Sequence, residues 1–223
     1  MAGCARGPAE PQANAGDGST PAAATQKPAP TAAEQPAATQ PEAPAVSATG
    51  TAYQVVTDQS EASYSVGETF LGQKRDVTAV GKTSALAGTI VLDGGVIQAS
   101  TIEVDVATLK TDESRRDNKV RQALDTANHP KATYRITGAE GNPALAEGQE
   151  TALKLQGTMT IKGVDKPLTF DAKAKLEGGR LTLTAETVFD MTEFGVDPPN
   201  VANFVAVQNE VKLAVTFVGE SQG

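Results

Sequence analysis

Leu153-Lys154-Leu155-Gln156-Gly157-Thr158-Met159-Thr160-Ile161-Lys162 decides the fold. Apolar or small residues fall on every odd position and polar ones on every even position. A period of two is that of a strand whose side chains point alternately to a buried and a solvated face. Gly163-Val164-Asp165-Lys166-Pro167 then reads as a turn, after which Leu168, Phe170, Ala172, Ala174 and Leu176 resume the alternation against Thr169, Asp171, Lys173 and Lys175. Gly178-Gly179 is a two-residue hairpin turn suited to positive φ, and Leu181, Leu183 and Ala185 mark the inward face of the next strand.

The same period extends outward in both directions. Tyr64 and Val66, Ile90 and Leu92 ahead of Asp93-Gly94-Gly95, Ile102, Val104 and Val106, and Tyr134 and Ile136 all lie on short alternating runs broken by turn residues. Val211, Leu213, Val215 and Phe217 close the series. About eight strands in hairpin order predict an all-β domain over residues 51–223, and a sheet of that size removes its exposed edges by closing into an antiparallel barrel.

One segment breaks the pattern. Thr111 to Asn128 is densely charged, with Val120 and Leu124 four apart, Thr111 or Asp112 as N-cap and Pro130 as stop. It reads as a short surface helix whose Arg115, Arg116, Lys119 and Arg121 pair internally with Asp112, Glu113, Asp117 and Asp125.

Residues 1–50 differ in kind, with 16 Ala, 8 of the chain's 13 Pro and no Phe or Tyr. Such a stretch buries too little apolar surface to offset the entropy of ordering it and is expected to be a disordered tether. From Ala5 to Gly50 it would span about 40 Å as a flexible coil and roughly 140 Å if stiffened by proline. It begins Met1-Ala2-Gly3-Cys4, which resembles the end of the lipobox of bacterial lipoproteins and makes Cys4 a candidate lipidation site. Met1 stands where that motif has Leu or a similar residue.

Composition excludes several classes. The chain has no Trp, 4% aromatic residues and a net charge of −8, which argues against a nucleic-acid surface. Its single Cys4 allows neither an intrachain disulfide nor a thiolate zinc cluster, and its single His129 leaves no histidine-rich metal site. No metal or cofactor is expected. Asp190, Glu193 and Asp197 are near neighbours in sequence, but they read as a solvated loop rather than an acid/base pair, and His129 beside Pro130 reads as a turn residue.

Several segments together carry a family resemblance. Leu109-Lys110-Thr111, Arg116-Asp117 with Arg121, His129-Pro130-Lys131-Ala132-Thr133-Tyr134, the run Leu155 to Leu168 and Phe194-Gly195-Val196 occur in an order that resembles the YceI-like family of lipid-binding proteins, from about Tyr53 to Val218. The resemblance implies a lipocalin-like eight-stranded barrel, exported from the cytoplasm, that holds a polyisoprenoid or similar amphiphile in an apolar channel and performs no catalysis. One departure lies at the first strand, where family members often carry a His-Ser pair and this chain has Ser60-Glu61-Ala62-Ser63-Tyr64-Ser65-Val66. The unusual stretch that follows suggests that Phe70, Leu71 and Gln73-Lys74-Arg75-Asp76 cap one end of the barrel.

Eight strands enclose either a core filled by side chains or room for one small ligand. Gly157, Ala172, Ala174 and Ala185 are small inward residues that would leave volume. Tyr64, Tyr134, Met159, Phe170, Leu183, Val215 and Phe217 are the candidate ligand-lining residues, each of which could equally be ordinary core. The expectation is therefore an extracytoplasmic, membrane-anchored barrel that sequesters or transports an isoprenoid-type lipid, with a homodimer left open. The alternative is a cell-surface interaction module with a packed barrel and no ligand.

Overall fold

The computed structural model describes residues 50–199 and 204–222. The tether of residues 1–49, with Cys4 in it, lies outside the described residues. The strands are β1 (Thr51–Val55), β2 (Glu61–Phe70), β3 (Arg75–Thr83), β4 (Leu86–Asp93), β5 (Val96–Ile97), β6 (Ser100–Asp105), β7 (Lys131–Ala139), β8 (Glu150–Ile161), β9 (Val164–Glu177), β10 (Arg180–Asp190) and β11 (Val205–Ser221). A helix, α1 (Ser114–Ala123), lies between β6 and β7, and 3-10 turns occupy Thr57–Gln59, Val106–Thr108 and Met191–Phe194.

Hydrogen-bonded neighbours run β1-β4-β6-β7-β8-β9-β10-β11, and β11 pairs back onto β1 with Tyr53 opposite Ser221. This is an eight-stranded antiparallel barrel. β1 and β2 are two halves of one path along β11, kinked at the Thr57–Gln59 turn. Ser60, buried at the kink, staples it: its hydroxyl accepts from the Val218 amide at 3.0 Å. β2 and β3 form a hairpin that rises beyond the ring, and β3 reaches the β6 side through a bridge between Lys82 and Lys110 and a hydrogen bond of 2.6 Å between the Thr83 and Thr108 hydroxyls.

The β8–β9–β10 meander shows why the local pattern dictates its register. Leu153, Leu155, Met159 and Ile161 are buried on β8, as are Phe170, Ala172 and Ala174 on β9, and Lys154, Asp171 and Lys173 face solvent. Gly178 and Gly179 both have positive φ, 58° and 75°, as a tight type I′ hairpin turn requires. The preceding turn is shorter than the sequence suggests. It consists of Lys162 and Gly163 alone, at φ 52° and 75°, and Val164 to Pro167 already belong to β9. Pro167 is tolerated because this end of β9 pairs with β8 only, the β10 ladder starting at Asp171, so no second partner needs its missing amide.

The core is continuous around the inner wall. Phe217 and Phe194 are 1% exposed and Leu181 is fully buried. Complete burial of each such side chain stabilises the barrel by about 1.5–3 kcal/mol.

Candidate functional site: an apolar cavity under a helical lid

The inner faces of the strands do not meet at the centre. They enclose a cavity of about 660 Å³ whose wall is almost entirely apolar. All seven lining candidates, Tyr64, Tyr134, Met159, Phe170, Leu183, Val215 and Phe217, lie on this wall.

The small residues behave less uniformly than expected. Only Ala185 of the four lies on the cavity wall. Gly157 leaves no volume, because the Tyr134 ring occupies the space beside it; a Cβ there would sit 2.8 Å from Cζ of Tyr134 and 2.3 Å from the Arg135 carbonyl oxygen. Ala172 and Ala174 are covered by neighbouring side chains, Ala174 completely. Tyr134 is also held electrostatically. Its hydroxyl donates toward the carbonyls of Leu155 and Leu168, at 3.1 and 2.9 Å, and its ring packs on Phe170 with centroids 4.8 Å apart. Burial pushes its phenol well above the usual tyrosine range, so it stays protonated.

One end of the cavity is closed by α1, which the sequence reading left as a solvated surface helix. Val120, Ala123 and Leu124 of the helix segment contribute to the wall. The internal ion-pair scheme also needs correction. Arg116 bridges away from the helix to Glu68 on β2, with Nε to Oε1 and Nη2 to Oε2 both 3.1 Å, and Asp112 takes Nη1. Asp117 is buried and accepts from the Thr111 amide and hydroxyl at 2.8 and 2.7 Å, while Arg121 donates to Asn118. The helix starts at Ser114 with Glu113 as its N-cap, not at Thr111 or Asp112, because Thr111 is taken up in holding Asp117. The cap is therefore the helix rather than the β2–β3 turn: Phe70 reaches the cavity wall but Leu71 is exposed.

The polar groups at this end are specific in their arrangement. The Glu68 hydrogen bond holds the Arg116 guanidinium more firmly protonated than in water, against the opposing effect of burial and with help from Asp112. For Asp117 burial is the largest single influence and favours the neutral acid, but the two Thr111 hydrogen bonds, Lys110 and Arg121 outweigh it and set its carboxyl below the usual range. Tyr64 is different. Its hydroxyl is buried and, among the described residues, has no hydrogen-bond partner. Leaving such a group unpaired costs about 1–3 kcal/mol. Burial, opposed by Arg116 and reinforced by Asp117, Glu68 and Asp112, pushes its pKa up to about 12.

The acidic loop has a local structural use. Asp190 accepts from the Thr192 amide and hydroxyl at 2.8 and 2.6 Å and caps the Met191–Phe194 turn, and these hydrogen bonds lower its pKa. Among the described residues no group of three His, Cys, Asp or Glu side chains is placed to hold a metal.

A largely apolar cavity that opens at one end of an up-and-down barrel is the geometry that the family resemblance had implied, and a model of the YceI-like domain matches residues 53–218. The chain belongs to the YceI-like family. Among curated relatives, a UPF0312 protein of Shewanella sp. (strain W3-18-1) is 30% identical over 163 residues, which span 68% of this chain and 80% of that one. Among solved structures, a polyisoprenoid binding domain from Saccharophagus degradans, implicated in plant cell wall breakdown, superposes with a TM-score of 0.62 at 15% identity, covering 76% of this YceI-like chain and 98% of that domain. BcnA of Burkholderia cenocepacia gives a TM-score of 0.58 at 18% identity, with 74% and 98% coverage. At these identities the two structures share the fold of the YceI-like barrel.

The groups missed from sequence are Glu68, as the partner of Arg116, and the apolar face of α1. Val120 and Leu124, four apart, were the available signal for a buried helix face; nothing local pointed from Arg116 to Glu68.

Proposed function

We propose that this protein binds a long-chain amphiphile of isoprenoid type inside the barrel and sequesters or carries it. The observation that carries this reading is the cavity: about 660 Å³, lined mainly by apolar side chains and covered at one end by a helix whose Arg116 is paired with Glu68 and Asp112. That volume falls within the roughly 300–1,000 Å³ of small-molecule sites. Burial of an alkenyl chain at about 25 cal/mol per Å² would drive binding without a charged contact. The resemblance to the polyisoprenoid binding domain of Saccharophagus degradans supports the same ligand class. The reading assigns no catalytic step.

The proposed location is extracytoplasmic, with the barrel tethered to a membrane through a lipid on Cys4. It is supported by the Gly3-Cys4 motif and the Ala/Pro-rich segment behind it. Cys4→Ser should move the protein from the membrane fraction to the soluble one, and an unchanged distribution would reject the anchor.

The function is tested by mass spectrometry of an organic extract of the protein purified without detergent. A stoichiometric isoprenoid or similar lipid is the expected result. Failure to recover one, together with no uptake of added long-chain isoprenoids, would overturn the proposal.

A further inference from the structure

Resting on the reading of the cavity as a lipid site, we infer that the tip formed by the β2–β3 turn and the residue leading into β11 docks on a lipid bilayer, so that cargo passes between membrane and barrel without crossing water.

Among the described residues four large apolar side chains are exposed, and two of them, Leu71 at 49% and Phe204 at 69%, meet at this tip. The Leu71 amide donates to the Phe204 carbonyl at 2.9 Å, one step beyond the last β2–β11 pair, Phe70 with Val205. Phe70 and Val205 belong to the cavity wall, whereas Leu71 and Phe204 are open to solvent, so the tip is apolar on both of its faces. It also stands clear of the ring. The ladder between β10 and β11 stops at Asp190 and Glu210, and Val205, Ala206 and Val207 pair with β2 and not with β10. From Val66, level with Val211, the chain climbs roughly 16 Å to Leu71 at about 3.3 Å per residue.

A protein partner and a bilayer make different demands on such a feature. A stable protein interface buries about 800 Å² per partner, whereas one large side chain supplies at most about 250 Å², so two on a narrow turn fall short. A turn that is apolar on both faces offers no single surface to a partner but suits immersion in an apolar medium. Its polar neighbours are compatible with that. Lys74 and Arg75, on the same turn, are exposed, and their stems are long enough to lie along the immersed surface with the charges at the level of lipid phosphates. Asp76, the carboxylate next to them, accepts from the Thr69 hydroxyl at 2.7 Å. The inner face then leads on into the barrel. Phe70, Val205 and Val207 at the tip and Val66 and Val211 below them all line the one cavity, so an alkenyl chain entering here stays against apolar side chains along its path.

The test uses the full chain carrying Cys4→Ser, in which no lipid anchor can hold the protein on a vesicle. The sequence has no Trp, so Phe204→Trp, and Gln149→Trp in the exposed loop before β8 at the opposite end of the barrel, each install a sole fluorescent reporter. Vesicles of brominated phosphatidylcholine should quench the Phe204→Trp reporter and leave the Gln149→Trp reporter unchanged. Adding Leu71→Ser to Phe204→Trp should raise the lipid concentration at half-quenching by about tenfold. In a second measurement, diphenylhexatriene is taken up from vesicles that carry a non-exchanging quencher. Leu71→Ser with Phe204→Ser should slow uptake by about tenfold, with unchanged affinity for the probe dispersed without vesicles, because neither residue lies on the cavity wall. No quenching of the Phe204→Trp reporter, equal quenching of both reporters, or an unchanged uptake rate overturns the inference. So does self-association in vesicle-free solution that the double serine variant abolishes, which would give the tip to a second copy of the chain. If neither protein binds diphenylhexatriene while the Phe204→Trp reporter is still quenched, the lipid-site reading fails and the docking contact stands. Both substituted positions are exposed, so the variants should melt with the parent, which separates a lost contact from a lost fold.

Discussion

Arg116 on α1 and Glu68 on β2, 48 positions apart in the chain, meet fork to fork with two contacts of 3.1 Å, their side chains 15% and 10% exposed. This pair fastens the helix to the barrel rim. It lies between the exposed ion pair, worth about 0–1 kcal/mol, and the fully buried one, whose rupture costs about 3–5 kcal/mol. Arg116→Ala leaves Glu68 uncompensated and should destabilise the protein by about 2 kcal/mol in urea denaturation. Amide exchange in α1 should accelerate more than in β8 and β9, and an equal change everywhere would contradict a local fastening.

Ala174 and Ala185 test where the empty volume lies. Both are buried on neighbouring strands, but only Ala185 borders the cavity. Ala174→Leu has to force methyl groups into packed core, at a cost of about 1–3 kcal/mol. Ala185→Leu grows into space and should change stability by less than about 1 kcal/mol, because each buried methylene returns about 0.8 kcal/mol. Its capacity for the diphenylhexatriene probe should fall. Paired thermal melts and probe titrations check both halves of the contrast.

Gly81→Ala presses a methyl group against the Tyr64 ring, and the ring cannot move without disturbing the β2–β3 pairing. A loss of about 1–3 kcal/mol is expected. Combined with Tyr64→Ala, the same substitution should cost less than the sum of the two single changes, because the clash has gone. Additive losses in a denaturation double-mutant cycle would show that the contact is not the cause.

Two groups give stability a pH signature of opposite sign. Asp117 is more acidic folded than its ordinary value of 3.8, so its contribution is present above that pH and is lost as pH falls through the lower folded value. Tyr64 rises from 10.0 to about 12, so stability declines from about pH 10 towards 12 as the unfolded chain ionises first. Asp117→Asn should reduce the acid loss below pH 3.8, and Tyr64→Phe should reduce the alkaline decline, leaving the share that Tyr134 contributes. Denaturation midpoints across both ranges measure these slopes.

The barrel was legible because its information is local. Alternation on β8, β9 and β10 names the inward residues, and Gly178-Gly179 marks its own turn. Where local cues compete, they mislead: Pro167 looks like part of a turn, yet it sits on a strand end with only one partner. The cavity wall follows from alternation too, which is why residues as distant as Tyr64 and Phe217 could be grouped. Cavity volume does not follow. Gly157 leaves space in the sequence, and Tyr134 fills it from an adjacent strand. The lid was illegible for a related reason, since the charges of α1 declare their number but not their partners, and Glu68 lies on a separate hairpin.

The hydrogen-bonded ring is complete where β1 closes it, whereas at the opposite end β3 touches the β6 side at one bridge and one hydroxyl contact and β9 lacks β10 beyond Asp171. Helical segments lie at this end, where α1 contributes to the cavity wall and the Met191–Phe194 turn is in contact with β9 and β11. The molecule thus has a stiff base, where widening would sever backbone ladders, and a compliant mouth, where it need only shift side-chain packing and a few ion pairs. For the proposed amphiphile, any adjustment to its girth therefore falls to the mouth and not to the base.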